Sequence, residues 1–271
     1  GRDWVHIYSH VKAFDPSLSP GMSVRMGDEI GLLGKEGTSG GWSHLHYGIK
    51  ARQPNGQLAQ SGGYEFLWQA YIDQYQPTII AVARPHHFVR TGESVNLDGG
   101  KSWAADAAGI RSYQWRFSDG TEAEGARARR IYETAGVYSE TLTVRDNLGS
   151  EATDFAVVQV IDRYEAEAFP PGIHAAYHPT MELHPGTQIT FKVRSFAVER
   201  GEEVWDFGDG SPKITVYSVP LGSAARHKHS PEGYAVTHHT YREPGQFIAT
   251  VTCRAPNGLM ATARLCVTVE E

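Results

Sequence analysis

Short runs in which apolar and polar residues alternate, broken by Gly, Pro, Asn and Asp, predict strands joined by turns along most of the chain. Trp4, His6, Tyr8 and His10 are spaced two apart, which places them on one face of a strand. His44 and His46 share a face in the same way. One segment departs from this period. Between Gly63 and Tyr75, Phe66, Leu67, Ala70, Tyr71 and Tyr75 recur at helical spacing, so a short helix is expected there, ended by Pro77. Its aromatic side chains are expected in a core. Near the C-terminus, Phe247, Ala249, Val251 and Cys253 point inward, as do Ala263, Leu265, Val267 and Val269. A two-residue turn at Asn257-Gly258 then sets Cys253 opposite Thr262 and turns Cys266 to the other face. Two free thiols are expected, because a disulfide needs converging side chains.

The strand patterns repeat. Tyr113-Gln-Trp115-Arg-Phe117-Ser-Asp119-Gly120 returns as Val204-Trp205-Asp206-Phe207-Gly208-Asp209-Gly210, with Trp205 following Trp115 by 90 positions. Tyr132, Gly136 and Tyr138 return as Tyr241, Gly245 and Phe247, and the turn glycines Gly149 and Gly258 follow at equal offsets. Trp and Phe two apart on a strand fill one face of a sandwich core, and Asp-Gly makes the tight turn after them. The second copy carries an insertion between Gly210 and Tyr241, with His227, His229, His238 and His239. It reads either as a solvated loop in which His239 is fixed beside Tyr241, or as an adventitious or regulatory metal site. Asp206 with Asp209, or Asp98 with Asp146, are alternatives for calcium; turn aspartates capping their own backbone are the competing reading.

Trp205-Asp-Phe-Gly-Asp-Gly210, with His239-Thr-Tyr241 and Pro244-Gly-Gln-Phe247, resembles the PKD domain, an immunoglobulin-like β-sandwich of extracellular proteins and bacterial secreted hydrolases. The first copy is a looser match, with Arg116 and Ser118 in place of Asp and Gly. The expected fold is all-β: a partial β-rich domain over 1–76 and two tandem immunoglobulin-like sandwiches over 77–162 and 163–271.

Residues 1–76 differ in kind. Tyr8-Ser-His10, the glycines Gly21, Gly27, Gly31 and Gly34, a Gly/Ser loop over 37–41 and His44-Leu-His46-Tyr47 resemble the C-terminal half of lysostaphin-type (LytM-like) zinc endopeptidases, which cut peptide bonds in peptidoglycan. The resemblance implies that His46 is a zinc ligand and that His10 and His44 position water and stabilise the oxyanion. Zinc lowers the pKa of bound water and polarises the scissile carbonyl, while imidazoles move the proton. The family's upstream His-x-x-x-Asp does not precede His10, His6 is misplaced for it, and Gly48 stands where an acidic residue is usual. Two explanations remain open: a longer natural protein that supplies the ligands, or a degenerate peptidase module serving interaction. In either case the 271 residues as given are expected to lack efficient hydrolysis.

Composition narrows the classes. Hydrophobic residues are 40% and charged residues 21%, which describes a folded chain and not a disordered one. The net charge of -6 argues against a nucleic-acid partner, which needs a basic face. No run of about 18 apolar residues is present to span a bilayer, and no basic-then-apolar leader is visible. A serine hydrolase is set aside, since Gly37-Thr-Ser-Gly-Gly41 reads as a loop leading to His44 and not as a strand-to-helix nucleophile elbow. Peptidoglycan peptides or a cell-surface protein or glycan are the expected partners, and the expected location is secreted, periplasmic or cell-surface.

Overall fold

A computed structural model describes residues 3–34, 44–105, 109–165, 169–219 and 233–271. The predicted Gly/Ser loop over 37–41 and the histidines His227 and His229 lie outside them. The chain divides into two compact units, residues 1–76 and the sandwich region that follows. The architecture is almost entirely β, with a single helix among the described residues.

In the first unit, the strand His46–Arg52 is central, paired antiparallel with Trp4–Ser9 on one side and Leu58–Ser61 on the other. A separate hairpin joins Val11–Phe14 to Gly31–Leu33. Tyr47, Ile49 and Ala51 face the same way as their partners Tyr8, His6 and Trp4. The helix Tyr64–Tyr75 meets that side through Phe66, which packs edge-on against Trp4 and His6, each at 5.2 Å between ring centroids. The expected helix is present, but its expected apolar stripe is not. Phe66 and Ala70 are half-buried, Leu67 and Tyr71 are exposed, and no helix residue is fully buried. The reason lies in the sheet beneath it: among the described residues before Pro77, only Ile49 and Ala51 are buried apolar side chains.

The second unit is built on a nine-stranded sheet that runs through both sandwiches. In the first, Gly136–Asp146 lies between Ile110–Arg116 and Glu151–Ile161. In the second, Gly245–Arg254 lies between Met260–Val269 and Gly201–Asp206. The halves join where Gly136 and Val137 pair parallel with Met260 and Ala261. A Cβ on Gly136 would stand 3.0 Å from the Met260 carbonyl, so a larger residue would press the joint apart. The opposing layers are Ser94–Asp98 with Arg127–Ile131, and the three strands Gly172–His178, Ile189–Phe196 and Ala235–His239.

Each sandwich has its own core. Trp115, Phe117, Leu142, Val144, Val158 and Val160 fill the first. Phe191, Trp205, Phe207, Tyr241, Val251 and Val267 fill the second. The alternation places Trp and Phe inward in both copies, as their spacing predicts. The C-terminal hairpin differs by one residue from expectation: Cys253 faces Ala261, and Thr252 faces Thr262. Its loop holds three residues, Pro256-Asn257-Gly258, closed by hydrogen bonds from the Ala255 amide to the Leu259 carbonyl and from the Gly258 amide to the Ala255 carbonyl, with Gly258 left-handed at φ 83°. Both cysteines are free, and burial pushes each thiol up to about 11, so neither ionises at neutral pH.

Candidate functional site

The imidazoles of His10, His44 and His46 come together at one end of the N-terminal sheet. His10 lies 4.8 Å from His44 and 5.8 Å from His46, measured between ring centroids. His10 and His44 are half-buried and His46 is exposed. The geometry departs from simple alternation. His10 follows the end of its strand with φ at 67°, so it leaves the face that Trp4, His6 and Tyr8 share. A non-glycine residue in this region is uncommon, and such outliers concentrate at functional sites. His44 sits just before the strand His46–Arg52 and not within it.

Gly34 sets the distance between the two segments. The His44 amide donates to the Gly34 carbonyl at 3.2 Å. A Cβ on Gly34 would lie 2.5 Å from the Lys12 nitrogen and 2.7 Å from the His10 carbonyl oxygen. Only glycine lets these backbones approach. Gly34→Ala is therefore expected to destabilise this unit by about 1–3 kcal/mol. It is also expected to abolish nuclear Overhauser contacts between the His10 and His44 ring protons.

His6 belongs to the helix-facing side. Its Nδ1 is 2.7 Å from the Tyr47 hydroxyl. Burial, and after it the neighbouring Tyr8, hold the Tyr47 pKa above the ordinary tyrosine range. Tyr47 therefore stays protonated at neutral pH.

Three imidazoles this close can accept or donate protons around one guest atom. A zinc centre asks for more. Three protein ligands are normal, and among the described residues no group of three or more His, Cys, Asp or Glu is arranged to hold a metal. The cluster does not by itself fit a zinc ion. The aspartates considered for calcium cap turns: Asp206 accepts from the Gly208 amide, Asp209 from Ser211, Asp98 from Gly100, and Asp146 from Leu148 and Ser150.

The sandwiches repeat a second constellation, which the sequence repeat only half discloses. In the second copy His239 stacks on Phe207 at 4.0 Å and 5°, stands edge-on to Tyr241, and pairs with Asp209 at 2.7 Å. In the first copy Arg130 takes the place of His239: its guanidinium lies 4.1 Å over Phe117 and pairs with Asp119. A nitrogen-bearing side chain two residues before the tyrosine, Arg130 or His239, is the shared signal. Hydrogen bonds from Ser211 and His239 outweigh burial and hold the Asp209 carboxyl below its ordinary value. A depressed folded pKa stabilises above the unfolded value and loses that contribution as pH falls through the folded one. Asp209→Asn is expected to cost about 1–2 kcal/mol at neutral pH. The gap from wild type should close as urea melts are taken below 3.8, the ordinary carboxylate value.

Fold and repeated core define an immunoglobulin-like β-sandwich protein. More specifically, residues 76–160 match the family model for the PKD domain, and that segment is a PKD domain. Collagenase ColA of Clostridium perfringens (strain 13 / Type A) is 34% identical over 82 residues, covering 30% of this chain and 7% of the collagenase. The matched segment is thus a small part of that relative. Among solved structures, the PKD1 domain of the Vibrio cholerae metalloprotease PrtV is 30% identical, covering 31% of this chain and 98% of that domain, with a TM-score of 0.26. The PKD domain of the KIAA 1837 protein is 27% identical, covering 30% of this chain and 85% of that one, with a TM-score of 0.26. Two of these three, the collagenase and PrtV, are proteases by name.

Proposed function

We propose that this chain is part of a secreted zinc metalloendopeptidase acting on peptidoglycan peptides, with two PKD-type sandwiches that space the enzyme or hold it at the cell surface. The observation that carries this reading is the convergence of His10, His44 and His46 from two separate segments. In it, His46 is one zinc ligand, and His10 and His44 act on the water and the developing oxyanion. The other ligands come from outside residues 1–271, which agrees with the poor fit of the cluster alone to a metal. The PKD match and the protease relatives support the modular arrangement.

The scarcity of buried apolar side chains among the described residues before Pro77 also fits a unit that is one part of a larger domain. Phe14, Met26, Leu32 and Leu33 stand exposed there.

The test is release of dye from labelled peptidoglycan by the full gene product. Cleavage that is lost in His46→Ala and in His44→Ala is expected. Absence of cleavage in the wild type would remove the enzyme reading.

A second reading is a non-catalytic surface protein whose N-terminal unit is scaffolding. It rests on the match of residues 76–160 to the PKD domain, a segment that holds none of the three clustered histidines. Cell-surface retention of residues 77–271 alone, with no hydrolysis by any longer form, is its expected signature.

A further inference from the structure

The polar face of the nine-stranded sheet lines a cleft of about 650 Å³ to which both sandwiches contribute. Gln114, Arg116, Thr141, Thr143, Thr250 and Arg264 all project into it, each alternating with a core residue. Two of these are guanidiniums from different sandwiches. Arg264 is half-buried, and its Nη1 lies 3.4 Å from the Ser118 hydroxyl, at the limit of a hydrogen bond. Arg116 is exposed, and among the described residues its guanidinium has no hydrogen bond or ion pair. Burial lowers the pKa of Arg264, Glu140 behind Ser118 opposes that, and the like charge of Arg116 adds to it.

Two of the three carboxylates that share the cleft are paired with cations from beside it, and the third, Glu122, is held by a neutral amide. Glu151 pairs with Arg145 at 2.6 Å and Asp206 with Lys213 at 3.3 Å. Glu122 accepts from the Gln114 amide at 3.2 Å. Two guanidiniums held in one cleft, neither paired to a carboxylate, leave a place for an anion, and guanidinium forks favour carboxylates. The chain as a whole carries a charge of -6, so its long-range field does not gather anions. Attraction must come from these two groups at short range.

We propose that this cleft binds an acidic peptide segment, with its side-chain carboxylates on Arg116 and Arg264 and its backbone amides on the threonine and glutamine rows. A glycan is the weaker occupant. Sugar rings seek an exposed aromatic face, and the aromatic at this cleft, Phe117, is buried beneath Arg130.

The experiment uses the whole chain and fluorescein-labelled hexaglutamate, read by anisotropy, with hexaglutamine carrying the same label as the neutral comparison. Hexaglutamate is expected to bind about tenfold tighter than hexaglutamine, with affinity falling as salt rises. Arg116→Gln is expected to weaken binding about fivefold. Its thermal melt should match wild type, since Arg116 is exposed. Arg127→Gln removes one positive charge elsewhere and is expected to leave binding unchanged. Equal affinity for the two peptides would overturn the proposal. So would equal losses in Arg116→Gln and Arg127→Gln, or oligogalacturonate displacing the labelled peptide more tightly than unlabelled hexaglutamate does.

Discussion

Trp115→Ala and Trp205→Ala should each lower the stability of the sandwich unit by about 3–5 kcal/mol, the range for emptying a large aromatic from a closed core. Both indoles are fully buried, at 0% exposure. Trp205 lies 5.2 Å from Phe191 and 5.8 Å from Phe207, so its loss also removes two ring contacts. The copies differ at the indole nitrogen. Trp115 Nε1 donates to the Gly125 carbonyl at 3.2 Å, whereas Trp205 Nε1 is buried with no partner among the described residues. Trp115→Phe removes a hydrogen bond to the Gly125 carbonyl, and Trp205→Phe removes an orphaned donor. Trp115→Phe is therefore expected to cost more, by about 1 kcal/mol. Urea midpoints followed by far-ultraviolet circular dichroism measure the difference at constant slope.

Glu140→Ala is the second large effect, at about 2–5 kcal/mol, from the donors it satisfies and the cavity it would leave. Glu140 is 1% exposed. It accepts from the Ser118 amide at 2.7 Å, the Ser118 hydroxyl at 2.9 Å and the Tyr132 hydroxyl at 3.0 Å. Its removal leaves the buried Tyr132 hydroxyl without an acceptor, takes the same acceptor from the two Ser118 donors, and opens a cavity. Glu140→Gln keeps a carbonyl acceptor and should recover a substantial part of the loss in the same melts. The second copy solves the problem differently. Ala249 stands where Glu140 would, Gly208 where Ser118 would, and the Tyr241 hydroxyl donates to the Phe207 carbonyl at 3.0 Å. Gly208 has no room for a side chain, since a Cβ would meet the Ile248 carbonyl at 2.7 Å. The serine and the glutamate therefore belong together, as do the glycine and the alanine.

These pairs show what periodicity conveys and what it omits. The inward Trp and Phe positions were legible, because alternation encodes the face of a strand. The aspartate turns were legible for a similar reason: Asp119 and Asp209 bond to an amide two residues on. Glu140 was hidden, because its donors lie 22 and 8 residues away and nothing local marks it as buried. The register at Cys253 was misread because Asn-Gly suits both a two-residue turn and the three-residue loop that is present. His10 was placed on the wrong face because Ser-His-Val carries no glycine to signal a left-handed backbone. Its meeting with His44 and His46 depends on Gly34, a residue whose role appears only when two backbones are set side by side.

The central claim, that the N-terminal imidazoles form one wall of a zinc site, is tested most directly by native mass spectrometry of the full gene product. One zinc per chain in the wild type and none in His46→Ala is the predicted result. Zinc retained equally by both proteins, or by neither, would contradict it.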